Sequence, residues 1–192
     1  MGASPPASAT SRREAILDAA LELFRQRGFH SVGIDEIGTA AGISGPGVYR
    51  HFSSKSSLLV ALFDSITERM LLGAEEIQKT DCPAAEMLDR LVTFHVATAV
   101  EERALVAVWL QDGRSLPDLD EQRIRGRQAE YLGIWLATLA RVRPDLGPAE
   151  AETVVHAAVG AINSVAVHES GLPSEALEGL LAEAARAVLG VA

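Results

Sequence analysis

Apolar residues recur at every third or fourth position along almost the whole chain, which is the spacing of one face of an α-helix. The first helix is predicted to begin at Ser11, which forms a capping box with Glu14, and to end at Gly28, a residue suited to a left-handed cap. No sustained alternation of apolar and polar residues is present, so no strand is predicted. The pattern therefore predicts an all-α protein.

Glycine, proline and short polar breaks divide the rest of the chain into further helices. The clearest breaks are Gly42, Asp81-Cys82-Pro83 and Gly171-Leu172-Pro173. With the first helix, this division gives about nine helices. The further helices are predicted at about 34–41, 45–52, 54–79, 83–100, 103–111, 116–142, 149–169 and 173–190.

Residues 34–52 have the pattern of a helix-turn-helix. Gly42 lies where the chain must turn sharply and a residue that tolerates a positive φ angle is needed. Ser44 is suited to cap the helix after the turn. Five apolar residues are placed to close a small core between the two helices: Ile34, Ile37, Ala41, Ile43 and Val48.

The sequence IDEIGTAAGISGPGVYRHFSSKSSLLVALF, residues 34–63, resembles the DNA-binding domain of TetR-type transcriptional regulators. This resemblance implies a three-helix helix-turn-helix DNA-binding domain over residues 11–55 and a helical ligand-binding and dimerisation domain over residues 56–192. Residues 1–10, rich in alanine, serine and proline, are expected to form a disordered arm. The residues that match the family pattern are Ala41, Gly42, Ile43, Ser44, Tyr49, His51, Phe52, Lys55 and Leu58.

The net charge of −9 argues at first against a nucleic-acid partner, but the charges are unevenly distributed. Residues 1–57 hold six basic and five acidic residues, a net charge of +1, so the remainder carries −10. The single cysteine, Cys82, excludes an internal disulfide and fits a reducing cytoplasm. No signal sequence and no apolar run long enough to span a membrane is found, so a cytoplasmic protein without a membrane partner is expected.

By resemblance, the helix after the turn enters the major groove with its N-terminal end leading. Gly45 and Gly47 are then expected to let the backbone approach the duplex, and Tyr49, His51 and Lys55 to bind phosphate. The full set of expected DNA contacts is Ser44, Gly45, Pro46, Gly47, Tyr49, Arg50, His51 and Lys55.

Arg50 is the predicted base reader, because arginine can make two hydrogen bonds to one guanine. Gly45 and Gly47 stand where members of the family usually carry polar side chains for base contacts, which leaves much of the sequence reading to Arg50. Arg12 and Arg13 either reach neighbouring phosphates or a minor groove, or are solvated residues of the first helical turn.

The last two predicted helices carry apolar stripes that suit a dimer interface. In the family these helices pair with their mates in a four-helix bundle, so the resemblance implies a homodimer on a palindromic double-stranded operator. The alternative is that the stripes belong to an intramolecular core. The stripe residues are Val155, Ala158, Val159, Ile162, Ala166, Leu177, Leu180, Leu181, Ala184 and Val188.

The resemblance also implies a ligand cavity between the fourth and seventh helices, for a small-molecule effector that the sequence does not identify. Arg123, Arg125 and Arg127 either attract an anionic ligand, such as an acyl thioester, or form a solvated helix face. The candidate lining residues are Met70, Met87, Leu91, Phe94, His95, Trp109, Gln111, Tyr131, Trp135 and Asn163.

The function implied is that of a transcriptional repressor whose ligand shifts it to a form that leaves DNA. The alternative is a helical small-molecule sensor or adaptor that has lost specific DNA binding. Catalysis is not expected: the sequence from Gly42 to Pro46 nearly matches a G-x-S-x-G elbow, but its fifth residue is proline and no strand precedes it. The five histidines show no metal-binding spacing, and no cofactor motif is present.

Overall fold

The computed structural model describes residues 9–191, and within them the chain forms nine α-helices and no strand. This confirms the predicted all-α fold. Residues 1–8, most of the predicted arm, lie outside the described residues, and the first helix begins at Ala9. The helices are α1 (Ala9–Arg27), α2 (Ile34–Ala40), α3 (Gly45–Val48), α4 (Lys55–Gln78), α5 (Ala84–Glu101), α6 (Arg103–Asp112), α7 (Asp118–Val142), α8 (Pro148–Asn163) and α9 (Ser174–Leu189).

Helix α3 is shorter than predicted, because it ends at Val48 rather than at residue 52. From Arg50 onward the backbone follows a tighter turn, in which Arg50 N–H donates to the Gly47 carbonyl and His51 N–H to the Val48 carbonyl. A proline and two glycines, the poorest helix formers, make up three of the four helical residues. The α-helix therefore does not extend, and the turn carries the chain to Phe52.

Two apolar cores hold the molecule together. The first core is formed by helices α1, α2, α3 and α4. It also includes residues of α6 and α7, among them Leu105, Val108 and Ile124. The second core lies among α5, α7, α8 and α9 around the fully buried Trp135. Helix α1 therefore packs against α6, and α4 packs against α6 and α7, which lie far beyond residue 55 along the chain.

Helices α8 and α9 pack against each other and against α5. Part of the predicted dimer stripe points into this core: Val155, Ala158, Ile162 and Leu181 are buried. These four side chains belong to the intramolecular core, which was the alternative to a dimer interface. Burying their apolar surface stabilises the folded chain. The other stripe residues are half-buried (Val159, Ala166 and Leu177) or exposed (Leu180, Ala184 and Val188).

Within residues 9–191, every helix is too short or too polar to cross a membrane.

Candidate nucleic-acid interface and ligand cavity

The turn between α2 and α3 is built from local contacts that the sequence specifies. Gly42 adopts a φ angle of 70°, where a side chain would be strained. The Ser44 hydroxyl accepts a hydrogen bond from Gly47 N–H at 3.3 Å and so caps α3. Gly45 is buried, and a Cβ atom there would overlap the carboxylate of Asp35. A side chain at position 45 would therefore require the exposed Asp35 side chain to move aside.

Side chains at the end of α3 form an exposed polar surface. Tyr49 is 56% exposed, and Arg50 is exposed beside it. Among the described residues, the Arg50 guanidinium has no hydrogen-bond or ion-pair partner. His51 is half-buried, while Ser44 and Pro46 are exposed at the other end of the helix. Of the eight predicted contact residues, only Gly45 is buried.

Lys55 takes a different position from the one expected of a phosphate contact. Its ammonium donates to the carbonyls of Phe29 at 2.7 Å and Val32 at 2.8 Å, and it lies 3.4 Å from that of His30. It also sits 4.5 Å from the centre of the Phe29 ring, a cation–π distance. An ammonium has three donors, and three carbonyls surround this one. The phosphate contact stays a prediction, and the structure gives Lys55 a bracing role within the chain.

Arg13 lies next to the end of the α3 turn. Its guanidinium stacks over the Phe52 ring at 4.8 Å, and the two residues share a surface depression with His51 and Ser53. The stacking keeps the charge near His51 without neutralising it. Arg13 therefore joins the candidate nucleic-acid interface, while the half-buried Arg12 makes no contact of this kind.

A cavity of about 180 Å³ lies among α4, α5, α6, α7 and α8. Most of its wall is apolar, and the polar groups come from threonine, histidine, glutamine, tyrosine and asparagine. None of the lining residues that the structure describes carries a carboxylate, an ammonium or a guanidinium. The lining residues are Ile66, Thr67, Met70, His95, Thr98, Ala99, Leu105, Val106, Trp109, Gln128, Tyr131, Leu132, His156, Val159 and Asn163.

Five of the ten predicted lining residues face this cavity: Met70, His95, Trp109, Tyr131 and Asn163. The other five do not line it. Met87, Leu91 and Trp135 are buried in the core. Phe94 packs so closely on Gly73 that a Cβ atom there would overlap its ring, and Gln111 is exposed near Gly28.

A chain of hydrogen bonds crosses one wall of the cavity. His95 Nδ1 lies 2.7 Å from the Tyr131 hydroxyl, and His95 Nε2 lies 3.2 Å from Asn163 Oδ1. Burial lowers the pKa of His95 to about 4, so the imidazole is neutral at neutral pH, and burial raises the pKa of Tyr131. Beside them Trp135 Nε1 is buried without a hydrogen-bond partner among the described residues.

The arginines of α7 are paired with carboxylates. Arg123 binds Asp64 and also Asp120 at 3.0 Å, and these hydrogen bonds raise the pKa of its guanidinium. Arg127 lies 3.2 Å from the same Asp64 carboxylate, and Arg125 pairs with Glu121 within α7. The arrangement is that of the solvated helix face, not of a free anion-binding cluster.

Helix α6 touches both the cavity and the segment between α1 and α2. Trp109 lines the cavity and packs its ring edge-on against Phe63 of α4, with 4.9 Å between ring centres. One turn later the buried Asp112 accepts a hydrogen bond from Phe29 N–H at 2.9 Å. Immediately after α6, Ser115 lies 3.0 Å from the ring of His30. The segment after α1 is thus fixed to α6 on one side and to Lys55 on the other.

Sequence reasoning missed Asp112, although one signal was available. An acidic residue in the last turn of a helix is disfavoured by the helix dipole, which prefers cations there. Asp112 ends α6 and is followed by Gly113, so an external partner for its carboxylate was to be expected. That partner, the Phe29 amide, lies 83 residues away in the sequence and is not predictable from spacing.

Comparison with protein families and characterised sequences gives a consistent result. The family model described as bacterial regulatory proteins, tetR family, matches residues 16–62. The transcriptional activator FasR of Mycolicibacterium smegmatis is 41% identical over 69 residues, which are 36% of this chain and only 32% of that protein. The transcriptional repressor KstR2 of Rhodococcus jostii is 29% identical over 140 residues, 70% of this chain and 69% of that protein.

Solved structures share the whole architecture. A TetR-family regulator of Bordetella parapertussis superposes with a TM-score of 0.84 at 19% identity, covering 93% of this chain and 94% of that one. The regulator AibR, solved in complex with isovaleryl coenzyme A and operator DNA, gives a TM-score of 0.75 at 18% identity, with 90% of this chain and 97% of that chain covered. At such identities the likeness shows a common fold.

Proposed function

Because the chain belongs to the TetR family of bacterial transcriptional regulators, we propose that it is a DNA-binding repressor that leaves its operator when a small molecule occupies the cavity. Residues 11–55 are proposed to bind DNA, and residues 56–192 to bind the ligand and a second copy of the chain. The proposed location is the cytoplasm, where bacterial DNA lies.

The observation that carries this proposal is the exposed end of α3. It lies in the segment that matches the family, and it presents Arg50 without any partner among the described residues next to Tyr49. An unpaired guanidinium is suited to two hydrogen bonds with guanine, and the neighbouring Arg13 and His51 are placed to approach phosphate. KstR2, the relative matched over most of its length, is named a repressor, whereas FasR, an activator, matches over about a third of its length.

A homodimer on a palindromic operator is part of the proposal. A single helix-turn-helix offers few base contacts, so a dimer that spans half-sites about 34–36 Å apart is required. The surface proposed for it is the outer face of α8 and α9, which we define as Ala157, Gly160, Leu180, Ala184 and Val188. Leu180 is 55% exposed and Val188 39%, and because they share one face of α9, a second copy could cover them together.

The proposed route from ligand to DNA runs through α6. A ligand in contact with Trp109 acts on a helix whose last residue, Asp112, holds the amide of Phe29. The carbonyl of the same Phe29 is held by Lys55 at the start of α4. A ligand that binds better when α6 is displaced would shift the chain towards a state in which α1 and the turn to α2 have moved. The ratio of the ligand's affinities for the displaced and the resting state limits how far DNA affinity falls.

The test is binding of the full chain to the DNA upstream of its own gene, measured by fluorescence anisotropy at several salt concentrations. We expect specific binding, and we expect Arg50→Ala to reduce the preference for this DNA over a scrambled duplex by about 1–3 kcal/mol. Arg141→Ala, an exposed arginine at the end of α7, is the matched control and should change nothing. If the unaltered chain prefers neither duplex, the alternative of a sensor or adaptor without specific DNA binding is correct.

A further inference from the structure

We propose that the cavity takes an uncharged, largely apolar molecule about the size of a substituted benzene ring, carrying one hydrogen-bond acceptor that the Asn163 amide binds. This inference rests on the proposed function for its biological meaning, but not for its test.

The first step concerns charge. None of the fifteen lining residues is acidic, and none carries an ammonium or a guanidinium. His95 is neutral because burial lowers its pKa to about 4. A buried charge without a partner is expensive, and three arginines of α7 are already bound to carboxylates. A carboxylate or phosphate ligand would find no arginine or lysine among these residues, and the second lining histidine, His156, is exposed to solvent, where charges are screened. The lining therefore favours an uncharged ligand.

The second step concerns hydrogen bonding. A neutral imidazole has one donor and one acceptor. Because the amide oxygen of Asn163 only accepts, His95 Nε2 must be the donor to it, and His95 Nδ1 must accept from the Tyr131 hydroxyl. The donors of His95 and Tyr131 are then both used within the protein. The Asn163 NH₂ group makes no hydrogen bond within residues 9–191 and remains to donate, which calls for a ligand acceptor such as a carbonyl oxygen.

The third step concerns size. The cavity measures about 180 Å³. An apolar protein cavity of about 150 Å³ can hold benzene, so this one accommodates a single ring with a short substituent or a short branched chain. Trp109, Tyr131 and Leu132 supply the flat and apolar walls that such a molecule requires.

Three isosteric probes separate these requirements: acetophenone, with a ring and a carbonyl; α-methylstyrene, in which a methylene replaces the carbonyl oxygen; and benzoate, in which a charged carboxylate replaces the ketone. Binding to the full chain, without DNA, is measured by ligand-observed NMR titration. We expect acetophenone to bind about 3- to 10-fold more tightly than α-methylstyrene, the effect of one neutral hydrogen bond, and benzoate to bind most weakly.

Variants of Asn163 assign the hydrogen bond. Asn163→Leu should remove the advantage of acetophenone over α-methylstyrene while α-methylstyrene still binds. Asn163→Asp, which keeps the shape and loses the donor, gives a second test if the leucine variant does not fold. Gln122→Leu, which removes an exposed amide of α7, is the control and should leave the preference unchanged.

The proposal is overturned if benzoate binds best, if the preference for the carbonyl survives in both Asn163 variants, or if none of the three probes binds up to its solubility limit. Failure of the proposed function would look different. Probes that bind in the expected order without any effect on operator binding would contradict ligand-controlled release while leaving the ligand class intact.

Discussion

The Lys55 ammonium is a structural brace at the junction of three helices. It ties the turn after α1, through the carbonyls of Phe29 and Val32, to the first residue of α4. Hydrogen bonds from a charged donor contribute more to stability than neutral ones, and the side chain is half-buried. Lys55 therefore fixes the turn after α1 to the start of α4.

Lys55→Met should accordingly reduce the free energy of unfolding by about 1–2 kcal/mol, because it keeps the aliphatic stem and removes the three donors. Urea denaturation measures this. Arg50→Ala, in which the lost charge has no partner among the described residues, should change stability by less than about 0.5 kcal/mol. If Lys55→Met leaves stability unchanged and instead lowers the salt slope of DNA binding by about one, Lys55 is the phosphate contact that the resemblance implied.

His95 makes the stability of the protein depend on pH. In the folded chain burial lowers its pKa from 6.5 to about 4. Between these values the unfolded chain binds a proton that the folded chain does not, so stability is complete above about pH 6.5 and falls as the pH decreases towards 4.

Urea denaturation between pH 7 and pH 5 should therefore show the free energy of unfolding falling, with a contribution from His95 of up to about 1.4 kcal/mol per pH unit. His95→Phe should remove this contribution, and His168→Ala, at an exposed site, should retain it. Glu22, whose pKa is lowered to about 2 mainly by its hydrogen bond to Arg25, acts only at lower pH and does not interfere. An identical slope in wild type and His95→Phe would contradict the assignment.

At the scale of the element, the short helix α6 both lines the cavity and holds the segment after α1. Its inner face closes the cavity with Leu105, Val106 and Trp109, and its last residue holds the Phe29 amide. Asp112 is only 6% exposed, so the amide it accepts from is also shielded from water.

Asp112→Ala should leave that amide unpaired and reduce the free energy of unfolding by about 1–3 kcal/mol. Because the orientation of α1 and α2 is then less restricted, we expect operator binding to weaken by at least about 5-fold. Hydrogen exchange at the Phe29 amide should become faster. Asp112→Asn, which still offers an acceptor oxygen, should restore most of each quantity, and equal effects of both variants would exclude the hydrogen bond as the cause.

Several helix boundaries were predictable, although the end of α3 was not, and the buried faces of the helices were harder to predict. Ser44 caps α3 and the turn at Gly42 separates α2 from α3 as predicted, because caps and breaks depend on a few neighbouring residues. The faces of α8 and α9 were harder, because both sides of these helices are apolar or small. The sequence shows that Val155 and Ala157 are both suited to burial, but only the position of α5 decides which one meets the core.

The residues that line the cavity were predictable only in part, since five of the ten predicted ones line it. Residues of α5 at helical spacing include both His95, which lines the cavity, and Leu91, which lies in the core one turn away. Periodicity places both on the inner side of the helix but does not separate a cavity wall from a packed core. The hydrogen bond from Phe29 to Asp112 was inaccessible for another reason: it joins residues that no local pattern relates.

At the scale of the molecule, the outer face of α8 and α9 exposes apolar side chains that a single chain does not cover. Leu180, Ala184 and Val188 recur at one-turn spacing on the exposed side of α9. A second copy related by a two-fold axis would cover this face with the same face of its own.

Leu180→Arg should therefore convert a dimer to a monomer in sedimentation velocity experiments at micromolar concentration, because it places a charge in the centre of the contact. Operator affinity should fall with it, since both half-sites must be held together. Leu119→Arg changes a leucine that is 81% exposed on α7 and is the matched control. A Leu180→Arg protein that still sediments as a dimer would place the interface elsewhere.

The single helical turn between Trp109 and Asp112 also limits how this regulator could be retargeted as a biosensor. Substitutions at Leu132 or Val159 reshape the cavity from α7 and α8, at a distance from the segment that holds Phe29. Substitutions at Trp109 change ligand preference and the support of Asp112 together. A library confined to α7 and α8 is therefore expected to yield variants with new inducers and an unaltered resting state, whereas a library on α6 should be rich in variants that no longer respond at all.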